Sequence, residues 1–184
     1  MPFCKLVGLS HVKDHHVGVC YQFGKLLHFH VLKVLLSTGS SKPKCSKQAS
    51  QYATTDGTSP RLRIFQIMRQ EGTTLYFATS AKKAVWRELQ ANPNVELLAF
   101  ADNISVRCSG MVSFDVGDDV KRWIYENNPV LPCLYTSYDK LEYFCLPIAE
   151  MDYFDLSPTP PINQHFDLMA GEVANGFVGE RYSK

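Results

Sequence analysis

The sequence predicts a mainly antiparallel β-fold with a few helices (an α+β class), its strands closed into a six-stranded barrel. Three observations predict it. Turns at Asp56-Gly57 and Gly72 separate short runs rich in β-forming residues. Helical spacing is confined, after residue 51, to two short stretches. No internal repeat is visible, which removes solenoids and propellers. With about six strands, closure removes edges that an open sheet would have to protect.

Residues 1–50 form an N-terminal segment of unassigned fold that holds five of the six histidines: His11, His15, His16, His28 and His30. The dense apolar run from Leu26 to Leu36 fits a mostly buried helix, ended by the Ser, Gly and Pro residues of 37–43. Lys42, Lys44 and Lys47 then mark a polar connector. Residues 51–156 form the barrel. Strands at 51–55 and 60–68 flank the Asp56-Gly57 turn, and 74–78 follows Gly72. Thr79 or Ser80 is placed to cap a helix over 81–91, with Val85, Trp86 and Leu89 on its apolar stripe and Asn92-Pro93 ending it. Strands at 95–101 and 104–114 come next, then a short helix from 115–119 through 127 that Pro129 stops. Strands at 141–148 and 151–156 complete the set. Pro158, Pro160 and Pro161 make residues 157–184 a loop or arm.

Composition narrows the function. The 184 residues are 45% hydrophobic and 20% charged, as in an ordinary globular domain. A net charge of +1 gives no global field to hold nucleic acid or an anionic membrane, so any anion site is a local cluster. The longest apolar region, 23–36, is broken by Lys25, His28, His30 and Lys33 and does not span a bilayer. The first ten residues lack the apolar stretch of a secretory signal, and the six cysteines show no CxxC spacing. A cytoplasmic protein with free thiols is the expectation.

One pair of segments suggests an anion site. In Arg61-Leu62-Arg63-Ile64-Phe65-Gln66, a period of two puts Arg61, Arg63 and Phe65 on one face. In Thr79-Ser80-Ala81-Lys82-Lys83, two lysines open a helix whose N-terminus is already positive, which is unfavourable unless an anion sits there. If the strands on which these segments lie pair, they converge. On spacing alone, a solvated face with ordinary surface lysines is the better account. The histidines lack a cysteine or carboxylate at zinc-ligand spacing, so no metal site is expected. Cys108 lies mid-strand, as a structural cysteine does. Trp86, Trp123, Tyr125 and Tyr135 are read as packing residues. No Ser-His-Asp order, Walker loop or GxGxxG stands in a credible context.

The order of several weak motifs changes the balance. Tyr52-Ala53-Thr54-Thr55-Asp56-Gly57, Pro60 through Phe65, Leu75-Tyr76-Phe77-Ala78-Thr79-Ser80 with Lys82-Lys83, Asn92-Pro93, Val106-Arg107-Cys108-Ser109-Gly110 and Asn128-Pro129 follow one another. In this order they resemble the pyridoxamine 5′-phosphate oxidase-like, FMN-binding split-barrel superfamily. The resemblance covers residues 51–156. It implies FMN held at the interface of a homodimer, with the strand of Arg61, Arg63, Ile64, Phe65 and Gln66 lying along the flavin mainly through its backbone. It further implies Thr79, Ser80, Lys82 and Lys83 at the 5′-phosphate, Arg63 as an added cation, and Ser105 and Arg107 on the strand that approaches from the partner. Gln66 stands where true oxidases of vitamin B6 carry a lysine, Lys82-Lys83 replaces their Arg-Lys pair, and their arginine-containing terminal signature is missing. General flavin-binding or nitroimidazole-reductase-like members are the closer match. The implied activity is an FMN-dependent oxidoreductase that passes electrons from NADH or NADPH to a small organic substrate, with no protein acid or base specified. The alternatives are a non-enzymatic flavin-binding or stress-related protein, and a haem- or deazaflavin-binding relative.

Overall fold

The computed structural model describes residues 49–182. The histidine-bearing segment, the helix expected within 26–36 and the lysine connector lie outside them.

The chain first builds a hairpin. β1 (Ala49–Thr55) and β2 (Pro60–Gln66) pair antiparallel, with Tyr52 opposite Arg63 and Gln51 opposite Ile64. The turn works because Gly57 adopts φ 94°, a region closed to most side chains. The Asp56 carboxylate accepts the backbone N–H groups of Thr58 at 3.0 Å and Ser59 at 2.8 Å. Beyond Ile67 and Met68 the same run continues as β3 (Arg69–Glu71), turns at Gly72 and returns as β4 (Thr74–Thr79). Helix α1 (Ala84–Ala91) follows, then the hairpin β5 (Asn94–Ala101) and β6 (Ile104–Met111). Helices α2 (Asp118–Asn127) and α3 (Leu131–Leu134) lead to β7 (Glu142–Pro147) and β8 (Glu150–Asp155).

With β9 (Ile162–Asp167) and β10 (Glu172–Asn175), two antiparallel sheets result, in the orders β10-β9-β8-β6-β5-β1-β2 and β3-β4-β7. They join at two seams. One is the bend that carries β2 into β3, where the Met68 N–H donates to the Tyr76 carbonyl at 3.0 Å. The other lies past the end of β6, where Ser113 and Cys145 exchange two backbone bonds of 2.8 Å. Traced through both seams, β1, the bent β2–β3, β4, β7, β6 and β5 close the expected six-stranded split barrel. Gly110 makes the second seam possible. A Cβ there would stand 2.4 Å from the Pro147 carbonyl oxygen.

The barrel interior holds Tyr52, Phe65, Phe77 and Phe144, with ring centroids 5.2–6.1 Å apart and the Phe77 and Phe144 rings stacked at 17°. A second cluster packs α2 on the outside of β4 and β7, through Val120, Ile124, Ala78, Tyr143 and Cys145. Trp123, Tyr125 and Tyr135 pack against it as expected. Trp86 meets Phe114 edge-on at 5.0 Å.

Two expectations need correction. The tail is not simply loop: β9 (Ile162–Asp167) pairs with β8, and β10 (Glu172–Asn175) pairs with β9. Backbone pairing holds this hairpin, since Phe166 is the one residue of β9 that is fully buried, and so its apolar pattern is faint. Helix α1 begins at Ala84, not at residue 81. Thr79 is still paired with Glu142 in the β4–β7 ladder, and residues 80–83 form a turn in which the Lys83 N–H reaches the Ser80 carbonyl at 2.9 Å.

Candidate functional site

The period of two in β2 operates as expected. Arg61, Arg63 and Phe65 lie on the face toward the barrel interior and α1, while Leu62 and Ile64 point outward, 70% and 67% exposed. The pairing expected between the strand of the arginines and the strand that leads to the lysines is not made. β2 pairs with β1, and only its continuation β3 pairs with β4. Helix α1 packs over β1, follows directly on the lysines, and reaches Arg63 of β2 through Glu88.

The link is a carboxylate. Glu88, on the buried side of α1 with Val85 and Leu89, is 8% exposed. Its Oε2 accepts the Thr54 hydroxyl at 2.5 Å and pairs with Arg63 Nη2 at 2.7 Å. Burial works to raise this carboxyl, but the Thr54 hydroxyl and the Arg63 guanidinium outweigh it and hold the group below its usual value. Glu88 is not among the residues the sequence singles out. Its position three residues after Val85 and one before Leu89, within the apolar stripe, was the available signal.

Around this link, several polar groups are unspent. Arg63 Nη1 and Thr79 Oγ1 are buried and have no hydrogen-bond partner among the described residues. Lys82 and Lys83 are exposed and pair with no carboxylate among the described residues. The Ser80 hydroxyl accepts the Lys82 N–H at 3.3 Å. Arg61, in contrast, is spent on Asp56 at 2.5 Å. Phe65 belongs to the interior aromatic cluster, and Gln66 Oε1 accepts the Asn128 amide at 3.3 Å.

Ser105 and Arg107 do not join this group within one chain. They lie on the outer face of the large sheet, on the same side as Ile64. There Arg107 donates through Nε and Nη2 to Asp152 Oδ2, at 2.9 and 2.7 Å, and stands 4.0 Å from Glu96. His165 Nδ1 meets the other Asp152 oxygen at 2.8 Å. Asp152 and His165 were not foreseen from the sequence, because they face Arg107 from strands 45 and 58 residues away in the chain (152 − 107 and 165 − 107). Cys108 is fully buried, and burial pushes its thiol up to about 12, so it is no nucleophile.

The β-barrel with its bent strand is shared with solved structures. A NimC/NimA family protein from Clostridium acetobutylicum aligns over 85% of this chain and 100% of its own, with 23% identity and a TM-score of 0.58. A pyridoxamine 5′-phosphate oxidase-related, FMN-binding protein from Nostoc punctiforme aligns over 82% of this chain and 94% of its own, at 14% identity and a TM-score of 0.59. The fold is that of the pyridoxamine 5′-phosphate oxidase-like split barrels. PhzG from Burkholderia lata, solved with tetrahydrophenazine-1-carboxylic acid, shares the split barrel over 91% of this chain and 97% of its own, at 11% identity and a TM-score of 0.58. No protein-family model and no curated protein matches the chain.

Proposed function

We propose that this split barrel binds FMN and serves as an oxidoreductase for a small organic substrate. One observation carries the reading: two unpaired lysines at the start of α1 stand with a buried, unpartnered Thr79 hydroxyl and Arg63 nitrogen on the elements beside them. A dianionic phosphate fits such a set, because buried donors without partners cost free energy and adjacent cations attract a dianion. Lys82, Lys83 and Ser80 would hold the phosphate, with Thr79 and Arg63 donating from below. The β2 backbone is the edge of the large sheet among the described residues, and such an edge suits a flat ring system. When bound, the flavin supplies hydride and electron transfer, and the protein positions it. The FMN-binding relative from Nostoc punctiforme supports this reading through its shared fold.

A homodimer completes the proposal. Leu62, Ile64 and Phe100 form an exposed apolar outer face, with Ser105 and Arg107 nearby, and a second copy covering it would bring those residues toward its own flavin. NADH or NADPH is the proposed donor.

The test is flavin titration of the purified protein. FMN should bind, and Lys82→Ala/Lys83→Ala should weaken it by about 100-fold while riboflavin, which lacks the phosphate, changes little. A protein that stays colourless and binds no FMN overturns the proposal. Anaerobic mixing with NADH or NADPH tests turnover, since a bound flavin that neither reduces would leave a binding protein rather than an enzyme.

A further inference from the structure

We infer that Glu88 is a positioning residue that fixes Arg63 for the flavin phosphate; the inference rests on the flavin-binding reading above. An arginine side chain has many rotamers, and ordering it costs free energy at the moment of binding. Here that cost is met in advance. Thr54 and Arg63 both engage a single oxygen, Glu88 Oε2, so the hydroxyl fixes the carboxylate and the carboxylate fixes the guanidinium. The pairing engages Nη2, and Nη1, buried and without a partner among the described residues, can still donate. Glu88 lies five residues beyond Lys83, the residue that precedes α1, about 7.5 Å along the helix axis. The guanidinium is therefore held within one and a half turns of the lysine-bearing end.

The arrangement also divides the labour among the cations. Glu88 offsets the Arg63 charge, so the net positive charge offered to an anion comes from Lys82 and Lys83. Arg63 contributes direction through Nη1, and the lysines contribute field. These roles separate by salt. Loss of the lysines should flatten the ionic-strength dependence of FMN affinity, whereas loss of Glu88 should leave that dependence in place.

The experiment compares FMN and riboflavin affinities in the wild type and three full-length variants. Glu88→Ala should weaken FMN by about tenfold and riboflavin by less than about threefold. Glu88→Gln keeps an oxygen acceptor for Thr54 and Arg63, and should stay within about threefold of the wild type for FMN. Glu88→Asp keeps the charge and the fold but draws Arg63 back by one methylene, so its FMN-to-riboflavin preference should fall as well. Equal weakening of both flavins in Glu88→Ala, or an unchanged preference in Glu88→Asp, overturns the inference. Wild-type protein that binds neither flavin fails the binding proposal itself, an outcome read before any variant is made.

Discussion

Two arginines in this barrel each meet a carboxylate, and their settings are opposed. Arg63 pairs with Glu88 beneath α1, where the two side chains are 23% and 10% exposed. Arg107 pairs with Asp152 on the outer sheet face, at 55% and 33%. Both distances are 2.7 Å. Equal geometry does not mean equal weight. Beneath the helix, few waters are available to replace a lost partner, and the survivor is left as a buried charge. On the outer face, water and salt compete for both ions, and each can be re-solvated when the other is removed.

That contrast gives the largest expected effect. Arg63→Ala strands Glu88 with Thr54 as its one side-chain donor, and should cost about 2–3 kcal/mol of stability. Arg107→Ala should cost less than about 1 kcal/mol. Urea unfolding of both variants checks the comparison, and equal losses would break it. An intermediate effect is expected at the seam between the regions. Gly110→Ala places a methyl 2.4 Å from the Pro147 carbonyl and 3.0 Å from Leu146 Cδ1, and the first of these atoms is backbone that cannot swing aside. A loss of about 1–3 kcal/mol should follow, with a matching fall in melting temperature.

The same contrast explains what the sequence could disclose. The barrel strands and the Asp56-Gly57 turn were legible because each is encoded locally, by β-forming runs and by one residue at φ 94°. The two lysines were legible as a pair too, since they sit together just before a helix. Glu88 was not. Its meaning depends on Thr54 and Arg63, which reach it from 34 and 25 positions earlier in the chain (88 − 54 and 88 − 63). The start of α1 was misplaced for a related reason. Thr79 is a good cap by type, but its pairing with Glu142 keeps it in β4, a tertiary choice that local propensity does not carry. The β9–β10 hairpin escaped because it adds little apolar burial, so no alternation announced it.

The smallest expected effect belongs to the outer face and depends on pH. The hydrogen bond that His165 donates to Asp152 raises the imidazole, against an opposing cost of burial. For Asp152, burial pushes upward, while His165 and Arg107 outweigh it and hold the carboxyl below its usual value. Glu96, Glu150 and Asp167 face the same row and favour the charged imidazole or stand neutral to it, so none reverses the sign. A raised histidine stabilises the fold fully below its unfolded value, about 6.5, and loses that contribution as pH rises through its folded value. A depressed aspartate contributes above its unfolded value, about 3.9, and loses that contribution as pH falls through its folded value. The pair is therefore complete between roughly pH 4 and 6.5, and weakens on either side. His165→Gln should remove the alkaline part of this dependence, a fraction of a kcal/mol that shrinks further in high salt. The Glu88 network should show no such alkaline step, because it contains no histidine. Unfolding midpoints at several pH values, for the wild type and His165→Gln, measure the difference, and an unchanged profile in the variant would place the alkaline sensitivity elsewhere in the fold.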